Sequence, residues 1–136
     1  MSGARRVLLL DPTPIGSLCA TGQFKATLFK NWPACDILEV TTDIDTGQMM
    51  VRTGLDAGAP FIGAEHAVET IKAFAPDFIY LRPELWALSH FDFIVHALPR
   101  LSAPAALHIM DDWIHGEAPA QRSAEAAFLR VVRYFM

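Results

Sequence analysis

Apolar residues in this chain fall into two rhythms that alternate from end to end. Four short stretches read as strands, RVLLLD at 6–11, CDILEVT at 35–41, DFIYLR at 77–82 and Ala105 to Met110, the first apolar at every position between its arginine and its aspartate. Runs of that length and density suit strands buried on both faces of a parallel sheet. Between them the apolar residues take helical spacing. A helix is predicted from about Thr21 to Trp32, capped by Thr21 or Ser17, with Phe24, Leu28 and Trp32 along one face and Pro33 as its stop. Ala67, Ile71 and Phe74 predict a second helix from Glu65 to Ala75, closed by Pro76. Phe91, Ile94, Val95 and Leu98 predict a third over Leu85 to Leu98, and Ala124, Phe128, Val131 and Phe135 a fourth from Ala120 to Met136. The glycine-rich stretch from 42 to 63 yields no element beyond a short strand at QMMVR.

The order is therefore β-α-β-α-β-α-β-α. It predicts an α/β fold, a Rossmann-like open parallel sheet with helices on both faces and right-handed crossovers. A strand order of 3-2-1-4 would confirm it. At 136 residues the whole chain, 1–136, is one domain. The final amphipathic segment is an odd place for an open sheet to stop, so the chain reads as apparently truncated.

Composition narrows the picture. With 52% hydrophobic and 19% charged residues the chain is a packed globule, not a disordered tail. A formal charge of −4 argues against a general nucleic-acid binder. Val7 to Leu10 is cut short by Asp11 and Pro12, far below the roughly 20 residues of a membrane span, and makes a poor secretory signal. Cys19 and Cys35 form no scaffold and no CxxC pair, so a cytoplasmic, reduced setting is expected. The apolar excess leaves room for a covered face, against a partner domain or in a homo-oligomer.

In open parallel sheets ligands bind beyond the carboxyl ends of the strands. The loop after the first strand, DPTPIGSLCATGQFK, sets Gly16 and Gly22 ahead of a helix N-terminus, where backbone N–H groups and the helix dipole favour an anion. Its spacing fits neither GxGxxG nor a P-loop. A tight turn that packs the helix on the strand explains the glycines equally well. After the fourth strand, HIMDDW at 108–113 carries Asp111 and Asp112, which would either hydrogen-bond a hydroxyl-rich substrate or cap a turn. Trp113 would stack on a sugar ring or lie in the core. No metal spacing is found among His66, His90, His96 and His115, and the acid run from Asp43 departs from a calcium loop at its glycine and at Gly54. Cys19 lacks a neighbouring histidine to act as base, and Arg82 and Glu84 would either reach a ligand or, the commoner outcome, form an exposed ion pair.

The opening RVLLLDPTPIGSLCATGQFKATLF, the central PDFIYLRPE and the closing APAALHIMDDW together resemble the N-terminal domain of retaining GT-B glycosyltransferases of the group 1 (family 4) class. The likeness runs from the first strand through the fourth. It implies a two-domain enzyme, with this half holding a carbohydrate or lipid-linked acceptor and an absent C-terminal domain holding the nucleotide-sugar donor. By that resemblance Gly16, Thr21 and Gly22 line the donor cleft, with Gln23 and Lys25 behind them, and Asp111, Asp112 and Trp113 lie near the transferring sugar. Family members often carry a histidine just before an aspartate there, and here Met110 precedes Asp111. The resemblance implies no catalytic residue, metal or bound cofactor in this half, and no turnover without its partner domain. Two other readings stand beside it: a non-enzymatic flavodoxin-like or receiver-like binding module, and a dinucleotide-binding domain with degenerate glycine spacing.

Overall fold

A strand without a polar position needs cover on both sides, and VLLL at 7–10 finds it at the centre of a sheet. The computed structural model describes residues 5–43, 46–55, 60–82 and 88–108. Its elements follow in the order β1 (Val7–Leu10), α1 (Ala20–Leu28), β2 (Ile37–Thr42), β3 (Met49–Thr53), β4 (Phe61–Ile62), α2 (Ala64–Phe74), β5 (Phe78–Leu81), α3 (Leu88–Ala97) and β6 (Ala105–Leu107). Among the described residues the strands form one sheet in the order β4-β3-β2-β1-β5-β6. β1 pairs in parallel with β2 and β5, and β5 in parallel with β6. The fold is α/β and Rossmann-like in kind.

The sheet is mixed, where a wholly parallel one was expected. β3 runs antiparallel to β2, and β4 antiparallel to β3. The cause is the connection: Asp43 N–H donates to Gln48 O at 2.8 Å and Gly47 N–H to Asp43 O at 2.9 Å, closing a hairpin. A parallel return needs a dozen or more residues. Gly47 sits at φ +71°, a conformation the turn requires and glycine adopts without strain. The segment that superficially resembled a calcium loop is thus a hairpin turn followed by a strand. The four strands expected from the sequence stand in the order second, first, third, fourth. The order 3-2-1-4 is met only when antiparallel β3 takes the third place.

Period-two alternation divides the core. Leu8, Leu10, Leu38, Val40, Ile79 and Leu81 face α2 and α3, packing on Ala67, Val68, Ile71, Phe91, Ile94 and Ala97. Val7, Leu9, Ile37 and Tyr80 face the opposite way, toward Phe29 at the end of α1. Helices therefore cover both faces. Helix α2 matches its prediction, with Ala75 ending it in the left-handed region just before Pro76. β2 begins at Ile37, since Asp36 N–H bonds back to Pro33 O and winds Ala34–Asp36 into a 3-10 turn.

Helix α1 departs further. Its cap is Cys19, whose Sγ accepts from Gly22 N–H at 3.5 Å, in place of Thr21 or Ser17. Phe24 and Leu28, assigned to the core face, are 43% and 51% exposed, while Gly22 and Lys25 are buried. An inward lysine is invisible to a hydrophobic pattern, and it rotates the helix away from the face the pattern selects. The fourth predicted helix lies outside the described residues, as does the end of the fourth strand beyond His108.

His90, on α3, is fully buried beneath the ends of β1 and β2. Its Nδ1 lies 3.2 Å from Thr42 Oγ1, whose hydroxyl donates to Met49 Sδ. Burial pushes its pKa from 6.5 down to about 4, against a partial pull from the Asp11 carboxylate. Below pH 6.5 the unfolded chain takes up a proton that the folded chain refuses until about pH 4, so this stability is whole above the window and lost across it. Urea unfolding against pH should show the wild type losing about 3 kcal/mol more than His90→Met between those limits. Parallel curves for the two proteins would refute the assignment.

Candidate functional site

The α1 face of the sheet carries charge where alternation calls for an apolar residue. Glu39 stands level with Leu9 in β1, and Arg52 of β3 stands level with Glu39. Leu10 is in register with Leu81, and Leu81 with Leu107. One step further along, Asp11, Arg82 and His108 form a row across the carboxyl ends of β1, β5 and β6. The chain passes from β1 to β2 on one side and later to β5 on the other, so the crevice between β1 and β5 is the topological switch point, where open α/β sheets bind ligands.

Asp11 is fully buried and held from two sides. Arg82 donates through Nε to Oδ2 at 2.7 Å and through Nη2 to Oδ1 at 3.1 Å, a bidentate pair, and its Nη2 also reaches Thr13 Oγ1 at 3.3 Å. Lys25 Nζ lies 3.2 Å from Oδ2 and 3.9 Å from Glu39 Oε2, and donates to Thr13 O. Burial lowers the Lys25 pKa, with the Asp11 and Glu39 carboxylates opposing it. Glu39 in turn accepts Arg52 Nε at 2.8 Å and Ile15 N–H at 2.6 Å, and Arg52 Nη2 approaches Ile15 O at 3.5 Å. The loop after β1 is thus gripped at Thr13 and Ile15 by side chains from α1, β2, β3 and the end of β5.

Glycine and glutamine finish the loop. Gly16, at φ +82°, donates its N–H to Gly22 O at 3.0 Å. A Cβ on Gly22 would stand 2.5 Å from Ser17 O, so the close approach of loop to helix requires glycine there. Gln23 Nε2 donates to Gly16 O at 3.3 Å and Ser17 O at 3.1 Å. Gly16, Thr21, Gly22 and Gln23, all singled out from sequence, therefore come together at this edge. Gly16, Gly22 and Gln23 make contacts that close the loop against the start of α1. Lys25 lies behind them.

Met110, Asp111, Asp112, Trp113, Glu84 and His115 lie outside the described residues. Arg82 is not part of an exposed pair: it is 2% exposed and bound to Asp11, because β5 delivers it into the crevice. Cys19 is exposed and caps a helix. Among the described residues no group of three or more His, Cys, Asp and Glu is placed to hold a metal, and no helix is long and apolar enough to cross a membrane. Sequence reasoning missed Glu39, Arg52 and Tyr80. The signal for the first two was there, since a charge within ILEV and another within MMVRT break strand patterns at inward positions.

No protein-family model, curated protein or solved structure matches this chain.

Two substitutions test the site's construction. Asp11→Asn leaves Lys25 and Arg82 as buried cations short of a carboxylate and should cost about 3–5 kcal/mol in urea unfolding; a loss below about 1 kcal/mol would mean that the cations find water instead. Gly22→Ala should cost about 1–3 kcal/mol through overpacking. It should also speed amide exchange at Ile15 to Ser17 more than in β5, and equal protection at the two places would contradict the close-approach argument.

Proposed function

We propose that this chain is the N-terminal, acceptor-side half of a nucleotide-sugar-dependent glycosyltransferase of the GT-B kind. The observation that carries the proposal is the loop after β1, closed by Gly16, Gly22 and Gln23 and anchored by buried ion pairs beside the switch-point crevice. A loop held in that way presents one fixed wall to a ligand, and preorganised dipoles serve charge transfer better than mobile ones. In the proposed enzyme the other wall is a donor-binding C-terminal domain. Leu18 is fully exposed on this loop, and Phe24 and Leu28 leave apolar surface on the outer side of α1, which fits a neighbouring domain. Cys19 and Cys35, both exposed and unpaired with each other, fit a reduced cytoplasmic setting. The acceptor side would take a carbohydrate or a lipid-linked sugar, with no cofactor resident in this half.

One observation favours a second reading. The parallel strands alone run β2-β1-β5-β6, which is the order of flavodoxin-like folds. On that reading the chain is a non-enzymatic binding module. A receiver-type phosphoacceptor role is disfavoured, since β5 leads into Arg82 and Asp11 is occupied by two cations.

Sugar transfer from nucleotide-sugar donors separates the two. The chain alone should give no turnover, and a donor-binding domain supplied in cis or in trans should restore transfer. Turnover by the chain alone would overturn the proposed division of labour. Flavin absorbance in the purified protein would favour the binding module.

A further inference from the structure

A hollow of about 330 Å³ opens beside α1, on the β2–β3 side of the sheet and away from the β1–β5 crevice. It is lined by Phe29 and Trp32 from the end of α1, Ile37 from the start of β2, Ile15 from the first loop and Leu55 from the turn after β3. The rings of Phe29 and Trp32 meet edge to face, 5.8 Å apart between centroids. Trp32 Nε1 donates to Arg5 O at 2.8 Å, so the one polar atom of the indole is satisfied by the backbone and its carbons are left for the hollow. Lys30 stands at the rim, exposed and without an ion pair among the described residues.

Leu55 closes the hollow against the preference of its own backbone. It sits at φ +60°, directly after Gly54 at φ +65°. Gly54 N–H donates to Ile37 O at 3.1 Å, which holds this turn beside the start of β2. Two left-handed residues in succession suit glycine, asparagine or aspartate, and a leucine there carries strain. Its side chain packs on the cluster of Val7, Leu9, Phe29 and Ile37. Strain of this kind persists where the surroundings hold a side chain in place, and it gathers at ligand sites.

We propose that this hollow binds a small amphiphilic anion, an alkyl carboxylate whose chain lies against Phe29, Trp32 and Leu55 and whose head meets Lys30. A volume of about 330 Å³ is at the lower end for small-molecule sites and suits one short chain. The lining is apolar, so the affinity comes from burying the chain. The cation at the rim supplies the charge that orients the head. Neither the β1–β5 crevice nor a donor domain takes part, so the proposal stands apart from the glycosyltransferase reading.

Titration of the full chain with octanoate at neutral pH, followed by the indole N–H resonance of Trp32, tests it. Trp32→Phe identifies that resonance by its loss. The expected result is a saturable shift of Trp32 and of the Leu55 methyls, with the β5 resonances unmoved. Hexanoate should bind roughly tenfold more weakly, since each methylene buried contributes to affinity. Ala26→Leu, which adds bulk to another residue of the lining, should weaken octanoate about tenfold or more. Lys30→Gln, a surface change that leaves the fold intact, should weaken octanoate roughly two- to fivefold and leave octanol unaffected. No saturable shift, or acetate binding as well as octanoate, overturns the proposal. Trp32 and Leu55 resonances that move on dilution without any probe would show a second copy of the chain covering the hollow, and overturn it too. The transfer assay reads separately: octanoate binding without transfer in the presence of a donor domain overturns the enzyme reading alone.

Discussion

Asp11 is a carboxylate buried at the end of the central strand, and the arrangement of this edge of the molecule follows from finding it partners. An ionised group in that position must be neutralised and hydrogen-bonded, because the desolvation of an isolated charge is prohibitive. Lys25 reaches it from α1 and Arg82 from the end of β5, while Thr13 N–H donates to Oδ1 at 2.8 Å. One side chain thereby fixes a helix, a neighbouring strand and the loop between them. Glu39 repeats the device one strand over, binding Arg52 and the Ile15 backbone. Buried pairs of this kind add little net stability compared with apolar packing, yet breaking one leaves an uncompensated charge. Their use here is positional: the helix cannot rotate and the loop cannot lift without separating charges out of water.

That constraint explains which parts of the fold could be read from the sequence. VLLL, the apolar core of DFIYLR and the Ala67–Ile71 stripe of α2 follow rules in which burial tracks hydrophobicity, and each lies where its pattern puts it. Helix α1 obeys the ion pair instead. Lys25 faces inward while Phe24 and Leu28 turn out, because a helix whose lysine must reach Asp11 has one rotational setting. The short strand at QMMVR is found as β3, but its antiparallel return was not legible: the turn is a local matter of Asp43, Thr46 and Gly47, and a glycine-rich stretch gives no periodicity to read. Arg82 was noticed, but sequence alone cannot pair it with an aspartate 71 positions away.

The glycines of the first loop acquire a different meaning from the structure. Read along the chain, Gly16 and Gly22 suggest an anion cradle at a helix N-terminus. In space, Gly16 N–H is bonded to Gly22 O, and Gly22 is small because Ser17 presses against it. Their work is to shape and hold the loop. What remains functional is the placement of that loop, held at Thr13 by Arg82 beside the β1–β5 crevice and at Ile15 by Glu39 of β2.

Placement also makes the candidate site independent of how the fold is classed. Counting antiparallel β3 gives a Rossmann-type order and leaving it out gives a flavodoxin-type order, yet in both the switch point falls between β1 and β5. The β3–β4 hairpin extends the far side of β2, remote from that crevice. The chemistry of the edge therefore depends on the residues that terminate the parallel strands. Asp11 and Arg82 bind each other and build the wall. His108 closes the row, its ring against Phe24 and its Nδ1 2.5 Å from Tyr80 Oη. A strand too apolar to lie anywhere but the centre thereby sets where that row stands.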